Sequence, residues 1–264
     1  MTLARTIGRG EVTSTCVVIT TMIGLGWLAP TRRASRHYAG VRNSGLWHHC
    51  NMTETFFVDV WSDVVCPFCY LGTRQLSAAL EEFDQRNDVI LRHRAFELDP
   101  HAPPIYEMPL DELLAAKYSM PIERARSLHE KLEADASALG MTWSMKQAQP
   151  SNTFDAHRLI ALASAQGRGG AMSERLFRAY FSEGQLLSDH ATLGTLGTEA
   201  GVSDVATLWD GDAYSDDVRD DESTAQELGI TGVPTLLLDD RFMVVGAQGS
   251  ERILDVLTRA WARR

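Results

Sequence analysis

The sequence predicts an α/β fold in which a small sheet is interrupted by a large all-helical insertion. Two strand-like apolar runs follow residue 55, and two more follow Gly229. The segment between them, 100–228, has the apolar spacing of helices. A Cys-x-x-Cys pair, Cys66 and Cys69, lies where the first run gives way to a helix. These observations place a candidate redox pair at a strand-to-helix junction.

Residues 1–51 form a basic leader that we expect to be unstructured. They contain six arginines, no lysine and one acidic residue, a charge of about +5. The rest of the chain carries about −15, which gives the net charge of −10. An acidic body disfavours binding to nucleic acid. Its composition, with 44% hydrophobic and 23% charged residues over the whole chain, is that of a soluble globular enzyme.

The leader has two interpretations. Arg5 and Arg9 precede an apolar stretch, 16–29, which has the length of a signal-peptide core but is too short to span a bilayer comfortably. No small-x-small cleavage site follows it, so we favour an upstream extension with the domain beginning at Met52. A cytoplasmic protein without membrane association is therefore expected, and export through the leader is the alternative.

The first strand is expected at 56–61, and a helix from Cys66 to about Arg86. Pro67 fits the first helical position because its missing N–H costs nothing there. The unpaired N–H groups and the dipole of a helix N-terminus stabilise negative charge, which makes Cys66 the expected nucleophilic thiolate. Cys69, one turn later, is placed to resolve a mixed disulfide.

Two other interpretations of the cysteine pair are weaker. A zinc site would recruit His48, His49 and Cys50, but the chain has no second Cys-x-x-Cys and the flanks of the pair have the pattern of a strand and a helix. Two inert buried thiols are the other alternative, and Pro67 argues against it because it favours a helix start. No metal site is expected.

A second strand is expected at 89–96, after which three prolines end the regular pattern. The insertion, 100–228, includes an apolar helical stripe over 122–139 that ends at Gly140.

After the insertion the pattern returns to a β-hairpin and a last helix, at 235–238, 242–245 and 250–261. The sheet-forming part of the chain is therefore expected in two segments, 52–99 and 229–264.

A Gly-Val-Pro-Thr sequence, 232–235, opens that late hairpin. Proline is tolerated as the first residue of a strand, so an ordinary loop proline is the simplest interpretation. Together with the Cys-Pro-Phe-Cys motif, however, the sequence resembles the thioredoxin superfamily. The resemblance implies a thioredoxin-like domain made of 52–99 and 229–264, with 100–228 as a helical insertion domain. It also implies a cis Val233–Pro234 bond against the active-site sulfurs.

Four separated segments of the sequence limit the resemblance to one branch of this superfamily. These segments are 61–72, 96–100, 151–158 and 245–248. Together they resemble the FrnE-like branch of the DsbA family, which are dithiol-disulfide oxidoreductases and isomerases. The resemblance implies Cys66, Cys69 and Pro234 as catalytic residues and a thiol- or disulfide-containing protein or small molecule as substrate. It implies no cofactor beyond the redox-active disulfide, with glutathione as an optional co-substrate. No cysteine follows Cys69, which excludes a second redox couple.

Five residues are candidates for substrate contact. Phe68 and Tyr70 flank the thiols as an apolar rim, although Tyr70 also suits the core. The backbone of Val233 is expected to pair with a bound peptide. His157 and Arg158 belong to one of the four segments and would line a substrate groove, with packing as an equally supported alternative.

Asp63 is a candidate proton acceptor for Cys69, with a local helix cap as the alternative. The Pro-Phe dipeptide lacks the histidine of the strongly oxidising relatives, which predicts a less oxidising couple.

Two other functions stay open. The first is a glutathione-dependent isomerase or transferase of the kappa-like branch, although those sites use a serine where this chain has Cys66. The second is a non-enzymatic chaperone or binding module.

Overall fold

Four strands form one sheet in the computed structural model, which describes residues 55–264. The strands are β1 Phe56–Ser62, β2 Val89–Ala95, β3 Thr235–Leu238 and β4 Phe242–Val245. The sheet order is β2-β1-β3-β4; β2 pairs with β1 in parallel, and the other two pairings are antiparallel. The predicted leader, and with it His48, His49 and Cys50, lies outside the described residues.

Eight α-helices surround the sheet or fill the segment between β2 and β3 within the described residues. They are α1 Pro67–Glu81, α2 Leu110–Lys117, α3 Ile122–Ala138, α4 Phe154–Ala165, α5 Gly169–Phe181, α6 His190–Glu199, α7 Ser215–Glu227 and α8 Ser250–Trp261. Six of them lie between the second and third strands, which confirms the thioredoxin-like fold with a helical insertion. The predicted domain division stays a prediction.

The predicted boundaries are close to the observed ones, with α1 as the main exception. It ends at Glu81, earlier than expected. Beyond it, the N–H groups of Phe83 and Arg86 donate to the carbonyls three residues before them, which is the tighter pattern of a 3₁₀ turn. Glu81 and Glu82 at this end oppose the helix dipole, which disfavours a longer helix. Asp239 and Asp240 lie in the hairpin turn, as predicted, and both have a positive φ, 51° and 55°. The connection has three residues, 239–241, because Leu238 pairs with Phe242.

The helix α1 connects two apolar clusters. Its second half, with Leu76 and Ala79, packs with β1, β3 and α8 around the sheet. Its first half, with Cys69 and Tyr70, belongs together with the preceding Cys66 to a larger cluster built mainly from the insertion helices. The cysteine pair therefore lies where the sheet layer and the inserted helices meet.

Candidate functional site

The two thiols lie at the start of α1, as predicted. Cys66 is the residue before the helix, with extended backbone angles, and Pro67 is its first residue. The N–H of Cys69 donates to the carbonyl of Cys66 at 3.1 Å, which begins the helical turn between the two cysteines. Both thiols are free and buried.

Cys69 is the deeper of the two, with no exposed surface. Burial raises the pKa of its thiol well above the ordinary value, and interactions with Cys66 raise it further. The backbone of Asp63 lowers it through a hydrogen bond, whereas the charge of the Asp63 carboxylate raises it. Cys69 is therefore protonated at neutral pH, and it must lose that proton before it attacks a disulfide.

The Val233–Pro234 bond is cis, as the sequence resemblance implies. The thiol of Cys66 donates to the carbonyl of Val233, with an Sγ to oxygen distance of 3.8 Å. Pro234 is buried against Gly72, and a Cβ atom placed on Gly72 would lie 2.8 Å from Cγ of the proline. The loop before β3 thus packs directly against the first two turns of α1.

Asp63 follows β1 and is buried beneath the cysteine pair. Its Oδ2 accepts a 2.8 Å hydrogen bond from the N–H of Leu98, which joins the ends of β1 and β2. Its Oδ1 lies 3.4 Å from Nε2 of His157, within ion-pair distance. Neither of these two atoms has a well-aligned hydrogen bond, so the contact is mainly electrostatic.

His157 lies on α4 and is also buried. Burial lowers the pKa of its ring, but contact with Asp63 and the charges of Asp63, Glu97 and Glu222 raise it more, so that the net pKa is above the ordinary value. His157 is therefore placed to hold Asp63 by charge, and it does not line the cavity described below.

Arg158 is buried against a loop of the insertion. Its guanidinium donates to the carbonyls of Leu208, Gly211 and Ala213 at 2.6, 2.7 and 2.9 Å, and to Asp155 at 2.8 Å. It is likewise absent from the cavity wall. The packing alternative therefore describes the placement of both His157 and Arg158.

The two aromatic residues that flank the thiols lie in different surroundings. Phe68 is 46% exposed and borders the cavity. Tyr70 is buried, stacked on Phe177 at 4.9 Å between ring centroids, and its hydroxyl donates to Glu174 at 2.8 Å. Burial and the contact with Glu174 raise the pKa of Tyr70 to about 12. Only Phe68 is thus placed to meet a substrate at the rim.

A cavity of about 480 Å³ opens beside Cys66 and Val233. Sequence reasoning missed most of its wall, which comes from α2, α3 and the loops before α4. The signal was present in Leu110, Leu113 and Leu114, whose spacing places them on one face of a helix. The sequence alone did not indicate that this face borders empty space.

Within residues 55–264, no helix is long and apolar enough to cross a bilayer. No group of three histidine, cysteine or acidic side chains in the same part of the chain is arranged to hold a metal ion.

Residues 57–258 match the family model described as a DSBA-like thioredoxin domain. A probable DsbA oxidoreductase of Streptomyces coelicolor has a similar structure, with 37% identity, a TM-score of 0.76, and coverage of 79% of this chain and 91% of that one. The uncharacterized protein YwbO of Bacillus subtilis is 29% identical over 75% of this chain and 93% of its own length. The cytosolic disulfide reductase DsbM of Pseudomonas aeruginosa, solved with GSH, shares the fold at 21% identity and a TM-score of 0.51, over 78% of this chain and 96% of that one.

Proposed function

The chain belongs to the DSBA-like thioredoxin domain family, and from that premise we propose that it exchanges thiols and disulfides through its Cys-Pro-Phe-Cys centre. The observation that carries the proposal is the position of Cys66. Its thiol lies at the start of α1, contacts the carbonyl of Val233, and borders an open cavity. A thiol at a helix N-terminus is placed to act as a nucleophile, and the cavity gives a substrate access to it.

The exchange has two steps. The Cys66 thiolate attacks one sulfur of a substrate disulfide, a mixed disulfide forms, and the other sulfur leaves as a thiolate. The Cys69 thiol then loses its proton and attacks Sγ of Cys66, which releases the second substrate thiolate and leaves a Cys66–Cys69 disulfide. The substrate gains two electrons and the cysteine pair loses two. The reverse sequence oxidises a substrate dithiol.

Asp63 is the residue we assign to the proton of Cys69. Its carboxylate is close enough for its charge to raise the pKa of that thiol. His157 positions Asp63 from the other side, at 3.4 Å. When the Cys69 proton moves to Asp63, the unfavourable charge next to the developing thiolate disappears, which favours the resolving step.

Val233 and Phe68 are the residues we assign to substrate contact. The carbonyl of Val233 faces the Cys66 sulfur, and the loop before β3 is placed to pair with an extended substrate segment. Phe68 supplies exposed apolar surface on the wall of the same cavity.

We propose a reducing or isomerising role in the cytoplasm, because the centre lacks the histidine of the strongly oxidising relatives and the fold is shared with a cytosolic disulfide reductase. A thiol reductant must then regenerate the pair, and glutathione stays a prediction for that role. A reduction potential near that of the strong oxidants, about −120 mV, would contradict this direction.

The test is insulin reduction with single cysteine variants. Cys66→Ser should abolish activity, and Cys69→Ser should accumulate a mixed disulfide that mass spectrometry detects, because the resolving thiol is missing. Cys16→Ser and Cys50→Ser change the only other cysteines and serve as matched controls with full activity. Insulin reduction that persists in Cys66→Ser would overturn the proposed function.

A further inference from the structure

The cavity beside Cys66 has one wall formed by α2. Leu110, Leu113 and Leu114 all border the cavity. Yet α2 has no buried residue, whereas each of the other seven α-helices in the described part of the chain has at least two. An apolar helix face normally packs against protein. This one borders unfilled space, which indicates a site for an apolar occupant.

Most of the remaining surface of the cavity is also apolar. Leu128, Leu132 and Met145 lie along its wall, and Leu132 and Met145 are buried. Phe68 and Tyr118 line the cavity and are 46% and 61% exposed. The volume of about 480 Å³ is within the range of small-molecule sites, roughly 300 to 1,000 Å³.

The charges on the wall disfavour an anionic occupant. Lys117 is the one lysine or arginine on the wall within the described residues, and it is paired with Asp99 at 3.4 Å. Burial lowers the pKa of His129, which keeps its ring neutral at neutral pH. Asp63 adds a buried carboxylate close to Cys66. A carboxylate bound here would be removed from water without an unpaired cation to compensate, and that is costly.

A few wall atoms favour an occupant with a hydrogen-bonding group. Nε2 of His129 and Oγ of Ser151 belong to buried wall residues and have no hydrogen-bond partner. An extended polypeptide fits less well, because it brings an N–H and a carbonyl at every residue and this largely apolar wall cannot pair them.

We propose that the cavity binds a small, uncharged, largely apolar disulfide, aromatic or alkyl, which Cys66 then reduces. The proposal rests on the exchange activity proposed above and names its substrate class. The Cys66 thiolate attacks one sulfur while the apolar group on that sulfur occupies the cavity, and the other half leaves as a thiolate. Cys69 then displaces the bound half, so that one disulfide is reduced for each pair oxidised.

The test uses three disulfides in single turnovers of the fully reduced, full-length protein. Dithiodipyridine is aromatic and uncharged, dithiobis(nitrobenzoate) is aromatic with a carboxylate on each ring, and oxidised glutathione is anionic and not aromatic. Each rate is divided by the rate of the same disulfide with free mercaptoethanol, which removes differences in intrinsic reactivity. Insulin serves as the protein substrate.

Two substitutions at one position of α2 alter the cavity in opposite ways. Leu113→Trp fills it, and Leu113→Arg introduces an unpaired cation. Leu139→Trp and Leu139→Arg are matched controls, since Leu139 is exposed at the end of α3 and does not line the cavity.

In the wild-type protein, the normalised rate with dithiodipyridine should exceed those with both anionic disulfides by at least about tenfold. A tenfold ratio corresponds to a difference of roughly 1.4 kcal/mol. Leu113→Trp should lower the dithiodipyridine rate by about tenfold and insulin reduction by much less, because an extended polypeptide does not fill the cavity. Leu113→Arg should raise the rates of the two anionic disulfides relative to dithiodipyridine, a gain that an unfolded protein cannot show. The Leu139 variants should match the wild type.

Three results would overturn the proposal. The first is equal normalised rates for the charged and uncharged disulfides in the wild type. The second is an effect of Leu113→Trp no larger than that of Leu139→Trp. The third is an equal loss of insulin reduction in Leu113→Trp, which would assign the cavity to a side chain of a protein substrate. Failure of the exchange activity itself is a separate result, recognised by a wild type that reacts with none of the four substrates or by a Cys66→Ser variant that still reacts.

Discussion

The contact between Gly72 and Pro234 can be tested by adding a single methyl group. In Gly72→Ala the new Cβ would lie 2.8 Å from Cγ and 3.4 Å from Cβ of Pro234. The first distance is well below van der Waals contact, and the proline ring has little freedom to move away. Either the loop before β3 or the helix α1 must shift.

Two free energies oppose each other in this variant. Alanine in a helix interior is more favourable than glycine by about 0.8–1 kcal/mol. Overpacking costs typically about 1–3 kcal/mol. Gly194→Ala provides the matched control, because Gly194 lies inside α6 and a Cβ there meets nothing within 4 Å. The helix-propensity gain is common to both variants, so the difference between them, about 1–3 kcal/mol, isolates the contact with Pro234.

The assays are thermal unfolding and single-turnover disulfide reduction. Gly194→Ala should raise Tm by about 2–4 °C with unchanged exchange, whereas Gly72→Ala should leave Tm unchanged or lower it by several degrees. Exchange should also slow in Gly72→Ala, because the displaced loop carries the Val233 carbonyl away from Cys66. Equal Tm values for the two variants together with unchanged exchange would refute the packing of Pro234 on α1.

Iodoacetamide at neutral pH should modify Cys66 before Cys69, because burial raises the pKa of the Cys69 thiol; peptide mapping that finds Cys69 modified first would reverse their roles. The pKa of His157 is raised in the folded protein, because the contact with Asp63 and the nearby acidic charges outweigh burial. Protonated His157 therefore stabilises the fold fully below about pH 6.5, and this stabilisation is lost as the pH rises through the folded pKa. Urea unfolding should therefore show the wild type losing stability relative to His157→Gln as the pH rises above about 6.5, and parallel curves would contradict this. Arg158→Lys should lower the free energy of unfolding by about 3 kcal/mol, because lysine cannot replace all the guanidinium bonds to three loop carbonyls. Disulfide exchange measured well below Tm should stay normal. A Tm equal to that of the wild type would disprove the structural role of Arg158.

Local signals explain why the sequence predicted the redox centre. Pro67 next to Cys66 indicates a helix start through the backbone of proline itself, and Asp239-Asp240 between two apolar runs indicates a hairpin. Each signal depends on a few neighbouring residues, and so it can be read without knowledge of the rest of the fold.

The contacts that position the centre depend on residues far apart in the chain. Nothing around Asp63 indicates that His157 lies against it, because the pairing depends on how α4 packs on β2. The contacts of Arg158 are harder still to predict from the sequence, since its partners are mainly backbone carbonyls, which every residue possesses. The short α2 shows its apolar face in sequence, yet the space beside that face depends on α3 and on the loops around it.

The absence of buried residues in α2 has a consequence for motion. A helix with few buried contacts opens at a low free-energy cost, so its amide hydrogens exchange with solvent faster than those of well-packed helices. The backbone of Leu110–Lys117 should therefore exchange deuterium faster than the buried turns of α4 or α5. Opening of α2 therefore costs less free energy than opening of α3 on the same wall, and it gives a bulky compound a route to Cys66 that leaves the sheet and the cysteine pair undisturbed.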